Sequence, residues 1–280
     1  MRFVFAACLA VIFIASPAAC WWMENDYTFG ANRFHAGSVS ICTNISTRTM
    51  LGLNASFYEG NRYSETVFAA RLPFSYAARK YLFSFSPFIY PRTSRVDSSA
   101  AGGIIRTLFP LAQGDDKSFT HLIFSLSGAE QRAKTEDGLR KSLPQGAVGI
   151  QLEKSYYNEF FFLVSASGFK HFEDIHVSTG SLVLDQSDMV FLGTTRAVTD
   201  LPSWSMGLQF ARNMAPESDS HVYVGYYRIG FESEPQADSV TAGIRMKLLD
   251  KNIFDFTYNW WKSEGEHIKN YYKFLLRVVF

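Results

Sequence analysis

Long hydrophobic runs are what this chain has least of. Beyond the first 19 residues the longest is Phe160-Phe161-Phe162-Leu163-Val164, far short of the roughly 20 residues a membrane-spanning helix needs. A bundle of transmembrane helices is therefore excluded. An excess of one charge is missing too. The 27 Lys and Arg face 26 Asp and Glu, for a net charge of +1, which argues against a general nucleic-acid binder. Cysteine is scarce, at three residues, and neither C-x-x-C nor H-x-x-x-H spacing occurs. No metal site and no bound cofactor are expected.

Aromatic residues are plentiful. The 280 residues include 26 Phe, 14 Tyr and 5 Trp, and 47% are hydrophobic, yet mean hydropathy is only −0.04. So much apolar side chain excludes a disordered chain. The apolar residues must instead be diluted by polar neighbours at short range.

Met1–Ala19 sets the compartment. Arg2 precedes an apolar run from Phe3 to Ala15, and Ser16-Pro17-Ala18-Ala19 follows. This is the three-part plan of a secretory signal, and cleavage is expected after Ala18 or Ala19. Losing Arg2 leaves 26 basic and 26 acidic residues, a net charge of zero. Cys8 leaves with the signal. Cys20 and Cys42 remain and are open to three readings. They are a lipid-anchored Cys20 after Pro17-Ala18-Ala19, a Cys20–Cys42 disulfide in an oxidising compartment, or two unpaired thiols. Residues 20–32 are expected to form a periplasmic segment or an extra strand, and residues 33–280 a single domain.

That domain alternates with period two. Leu51, Leu53, Ala55 and Phe57 form one set. Phe68, Ala70, Leu72, Phe74 and Tyr76 form the next, followed by Ile105, Thr107, Phe109 and Leu111. Similar sets continue through Val148, Ile150 and Leu152 and through Phe254, Phe256, Tyr258 and Trp260. The charges fall between them, so each strand has one apolar and one polar face. A soluble sandwich would show the same alternation. Three features favour a membrane barrel. Set lengths lie near the 9–11 residues of a tilted spanning strand. Tyr58, Tyr76, Tyr81, Tyr90, Trp204, Trp260 and Tyr272 mark stretch ends, as interfacial girdles do. The polar face also carries small residues such as Ser125, Gly149, Ser205, Gly207 and Gly243.

The last ten residues, Tyr271 to Phe280, carry apolar residues at Tyr272, Phe274, Leu276, Val278 and Phe280. This resembles the closing strand of bacterial outer-membrane β-barrels. The resemblance implies an integral outer-membrane protein that the barrel-assembly machinery recognises and that lipopolysaccharide surrounds. The expected fold is all-β, a closed antiparallel transmembrane barrel of about fourteen strands, within a range of twelve to sixteen. About fifteen candidates run from Arg33 to Phe280. Val177–Leu184, Met189–Arg196 and Phe34–Cys42 are the least regular.

With the apolar sets facing lipid, Arg71, Arg106, Arg245, Lys247, Lys273 and Arg277 are placed in the lumen. Arg228 joins them if Tyr223, Tyr227, Ile229 and Phe231 face lipid. Only Glu153 and Asp255 oppose these seven cations. A lumen so lined attracts anions. The function expected is a passive channel for small solutes, with a non-conducting structural or surface-interaction barrel as the alternative. A third reading is enzymatic. His176-Val177-Ser178-Thr179-Gly180 resembles the H-x-S-x-G element of outer-membrane phospholipase A, which implies a His176 base and a Ser178 nucleophile on one strand face. Thr179 stands where that family has Asn, and no Asn follows at the matching distance. A non-enzyme is therefore the expectation.

Overall fold

A computed structural model describes residues 21–59, 66–91, 99–113, 118–134, 139–157, 159–171, 202–215, 220–232, 235–249 and 251–280. These form a single closed antiparallel sheet. Its strands are β1 (Trp21–Gly30), β2 (Phe34–Ser46), β3 (Thr49–Glu59), β4 (Val67–Arg71), β5 (Phe74–Ala77), β6 (Leu82–Tyr90) and β7 (Ser99–Gln113). Then follow β8 (Phe119–Lys134), β9 (Arg140–Tyr156), β10 (Phe160–His171), β11 (Pro202–Asn213), β12 (His221–Phe231), β13 (Ala237–Leu248), β14 (Asn252–Ser263) and β15 (Lys269–Val279).

Each strand pairs with its sequence neighbour, and β1 pairs with β15 to close the ring. β4 and β5 are two halves of one spanning strand, broken at Leu72-Pro73, so the wall has fourteen strands. Proline cannot donate to the ladder. The break is bridged because Gly52 N–H donates to the Pro73 carbonyl at 2.8 Å and Leu72 N–H donates to the Pro87 carbonyl at 3.1 Å.

The fourteen are not assembled quite as the alternation suggests. Trp21–Gly30 is a wall strand, the second of the two expectations for residues 20–32, because Met23, Tyr27 and Phe29 alternate with Glu24, Asp26 and Thr28. Phe34–Ser46 is a strand. Val177–Leu184 and Met189–Arg196 lie outside the described residues, and β10 pairs directly with β11. Residues 1–20, with the expected signal and Cys20, also lie outside them. Cys42 is buried on the inner face of β2, opposite Trp22, and its expected disulfide partner Cys20 is among the residues not described.

Burial runs opposite to that of a soluble protein. Leu126, Val148, Val164, Met206 and Leu208 are exposed, whereas Ser125, Ser127, Ser165, Ser205 and Thr257 are buried. On β8, Leu126 is 54% exposed and its neighbour Ser125 only 5%. The outer belt is therefore apolar. On β13 it runs from Val240 to Leu248, about 26 Å along the strand, or about 20 Å of band height at the tilt of barrel strands. Because every strand edge is paired, no backbone group on this belt needs water. The barrel is built to cross a bilayer.

Trp21, the first described residue, and Phe280 lie at one rim, where their rings stack with centroids 3.9 Å apart. The connections at this rim are short, the longest running from 214 to 220. At the opposite rim the strands are further apart in sequence, with 30 residues between His171 of β10 and Pro202 of β11. Short turns on one side and longer loops on the other are usual for outer-membrane barrels.

Candidate functional site

Residues opposite one another in paired strands share a face, so the register assigns every inward side chain. One inward row runs Lys247, Ile253, Arg277, Glu24, Ser40, Asn54, Arg71 across β13, β14, β15, β1, β2, β3 and β4. A second runs His221, Arg245, Asp255, Leu275, Asp26, Ser38. Lys273 lies between Thr257 and Thr28. Arg106 sits between Ser84 and Ser125, and Glu153 between His121 and Leu163.

Arg228 is not in the lumen. It faces outward on β12, donating to Gln236 at 3.0 Å and standing 3.8 Å from Asp238. Its neighbours Tyr223, Tyr227 and Ile229 face inward. The physical reason is the run of small residues on the adjoining strands. A Cβ on Gly207 would lie 2.2 Å from the Tyr227 ring, and one on Gly243 would lie 2.3 Å from the Tyr223 ring. The two tyrosines lie over these recesses, so this face of β12 turns inward although it is aromatic. The pair Gly102-Gly103 does the same on both faces, against Phe88 inside and Phe85 outside.

Two inward carboxylates, Glu24 and Asp26, escaped the sequence reading because Trp21–Asn32 was not assigned a face. Their signal was the alternation with Met23, Tyr27 and Phe29. Removing Arg228 from the seven expected cations leaves six, and adding Glu24 and Asp26 to Glu153 and Asp255 makes four acids; the register also turns Lys269 inward, opposite Trp261, where it pairs with Glu266.

Two of the cations on β13–β15 are each held by a carboxylate from a neighbouring strand. Arg245 Nε donates to Asp255 Oδ2 at 2.8 Å. Asp255 Oδ1 accepts from Tyr223 at 2.8 Å and Thr257 at 3.0 Å. Arg277 reaches Glu24 Oε2 through Nη2 at 2.6 Å and Nε at 2.8 Å, and packs 4.6 Å from the centroid of Trp22. Glu153 accepts from Gln151 at 2.6 Å and lies 3.8 Å from His121. Asp26 accepts from Ser38. A cavity of about 330 Å³ opens beside Tyr223, Arg245, Asp255 and Lys273.

Toward the loop rim the inward face changes character. Phe34, Tyr58, Val67, Tyr90, Phe169, Ile229, Trp261 and Tyr271 form one apolar cluster. Tyr90 and Trp261 are each 1% exposed. Phe34 meets Tyr271 edge-on at 5.8 Å, and Phe88 meets Tyr90 edge-on at 5.9 Å. An Asn259 amide donating to Ser239 at 2.6 Å and Thr241 at 3.0 Å joins this dry zone. Fourteen strands enclose more width than small side chains can fill, and these are the largest side chains available.

The expected enzymatic pair, His176 and Ser178, lies outside the described residues. His171 is inward and buried at the loop end of β10, where Nε2–H donates to the Pro202 carbonyl at 3.1 Å. Tyr272, Phe274, Leu276 and Val278 face outward on β15, and Phe280 closes on Trp21. Among the described residues no group of three or more His, Cys, Asp or Glu could hold a metal ion.

No family model matches this chain, and no curated protein matches it. Among the solved structures it resembles, two align with a TM-score above 0.5. CdiB from Acinetobacter baumannii aligns at TM-score 0.52 and 11% identity, over 95% of this chain and 61% of that one. The fold is that of a transmembrane β-barrel. OccAB1 of Acinetobacter baumannii aligns at TM-score 0.51 and 7% identity, over 94% of this chain and 96% of that one. This barrel thus spans under two thirds of the CdiB chain and nearly all of OccAB1. Closed barrels with an even strand number and an apolar belt are integral to the outer membrane.

Proposed function

We propose that the protein is an outer-membrane channel for small solutes, with a lumen that favours anions. The observation that carries this reading is the inward charge set. Among the described residues, and leaving aside the Lys269–Glu266 pair, six cations and four acids line the wall, in a chain whose basic and acidic residues otherwise nearly balance. Charged side chains on the inner face of a barrel are stable only where water or a partner of opposite charge meets them. An excess of two cations biases the local concentration of mobile ions toward anions. The outward β15 set and the apolar belt support the barrel-assembly machinery and lipopolysaccharide as partners.

A second reading is favoured by the aromatic cluster. Inward side chains that are sealed from solvent at one end suit a barrel that does not conduct and serves as a structural or surface-interaction element.

Reconstitution of the full chain in a planar bilayer separates the two. Stepwise current with a reversal potential on the anion side in a KCl gradient is the expected result. Silence at all voltages would overturn the channel, and a cation-side reversal potential would overturn the anion preference alone.

A further inference from the structure

We propose that the cavity between Gln209 and Lys273 binds a hydroxylated carboxylate, the chemistry of a sugar acid, and that Lys273 holds its carboxylate group. The proposal deepens the anion-favouring reading above and rests on it. The cavity, of about 330 Å³, crosses the inner wall from β11 to β15. Gln209 lines one side and Lys273 the other, with Tyr223, Tyr227, Arg245 and Asp255 on the strands between. Lys273 differs from the other lumenal cations. Arg245 is held by Asp255 and Arg277 by Glu24, and Arg71, Arg106 and Lys247 have interactions of their own. Among the described residues, Lys273 has neither a hydrogen bond nor an ion pair. The register gives the reason. Lys273 lies opposite Thr257 and Thr28, and the carboxylates one step along each neighbouring strand take other donors. Asp255 accepts from Arg245, Tyr223 and Thr257, and Asp26 accepts from Ser38.

The opposite side of the cavity presents a second donor. Gln209 Oε1 accepts from Tyr227 at 2.9 Å, which leaves the hydrogens of Nε2 for a ligand. An ammonium and an amide N–H pair both call for an acceptor. Two of the charged side chains lining the cavity are cationic, and the one acid among them, Asp255, already accepts three hydrogen bonds. The site therefore favours a negative group. Its volume lies at the lower edge of ligand-sized cavities, about 300–1,000 Å³, and exceeds what a bare inorganic ion fills. The remaining lining is neutral and polar. Hydroxyls of Tyr227 and Thr241 can exchange hydrogen bonds with hydroxyls of a ligand, and the rings of Tyr223 and Tyr227 offer apolar faces to its carbon chain. A carboxylate carrying several hydroxyls uses each of these features.

The test is isothermal titration of the detergent-folded full chain with sodium gluconate, sodium acetate and glucose in separate runs. Gluconate should bind saturably, and more tightly than acetate or glucose by about tenfold or more, the scale of one hydrogen bond to a charged group. Affinity for gluconate should fall by about tenfold or more in Lys273→Gln, which removes the charge. Gln209→Glu keeps an acceptor for Tyr227 and replaces the amide donor by a like charge, so it should abolish gluconate binding. Arg228→Gln, on the outer face, should bind as the unaltered chain does. Gln209→Glu carries the test if Lys273→Gln does not fold. No saturable heat with gluconate, affinity unchanged in either lumenal variant, or acetate or glucose binding as tightly as gluconate overturns the site. Binding without bilayer current would sustain the site and sink the channel, and current without binding would do the reverse.

Discussion

Toward the chain termini the lumen is lined by Glu24, Arg245, Asp255, Lys273 and Arg277, and toward the loop rim by Phe34, Tyr58, Tyr90, Phe169, Trp261 and Tyr271. One wall thus carries two environments. Near the termini each acid has a donor within hydrogen-bond or ion-pair distance, and cavities open between side chains. Near the loops, ring packs on ring. The difference shows that barrel width alone does not decide whether a lumen is wet. Side-chain volume at each level does, and here volume is concentrated at one end. The loop end is thus the more tightly packed part of the inner wall, and the charged end the more polar.

Removing this packing is the largest perturbation. Tyr90→Ala and Trp261→Ala each delete a fully packed aromatic from the inner cluster, at about 3–5 kcal/mol of stability. Combined, they should raise unitary conductance in planar bilayers. Conductance equal to that of the unaltered chain would show that the cluster does not limit flow and would dissolve the contrast between the two ends. Urea unfolding of each single variant measures the stability loss independently.

The charged end is sharpened by Asp255→Asn. This side chain is 6% exposed and accepts from Arg245, Tyr223 and Thr257. Deleting one partner of a buried pair costs about 3–5 kcal/mol. Arg245 keeps partial access to water, so about 2 kcal/mol is expected here. The neutral side chain also uncovers a lumenal cation, so the reversal potential should move further to the anion side. An unmoved potential would mean that this sector does not touch the ion path.

How much of this was legible in the sequence differs between the two faces. The outward sets were readable because lipid demands apolar side chains without exception, so Leu51 through Phe57 or Phe254 through Trp260 keep strict period two. The inner face obeys no such rule. It can be charged, small or aromatic, and where it is aromatic the alternation disappears. On β12, Tyr223, Tyr226 and Tyr227 occupy both faces, which is why Arg228 reads as lumenal from sequence. On β14, Trp260 faces out and Trp261 in. The inward charges of β3–β15 followed from the readable outer face, whereas the inner aromatic cluster had no periodic signal to announce it. Glycine held the missing clue, since Gly207 and Gly243 mark where the inner wall makes room for a ring.

That clue yields the smallest and most specific prediction. Gly207→Ala places a methyl 2.2 Å from the Tyr227 ring. Tyr227 is buried and its hydroxyl donates to Gln209 at 2.9 Å, so the ring cannot simply swing away. Overpacking of this kind costs about 1–3 kcal/mol. Gly168→Ala is the matched control on the outer face of β10, where a methyl meets nothing within 4 Å. It should change stability by no more than about 0.5 kcal/mol. Urea midpoints of the two variants, taken with equal slopes, measure the gap. A gap near zero would mean that the inner ring moves freely over its recess, and the packed character of the loop-side lumen would then stop at the level of Ile229 rather than reach down to Tyr227.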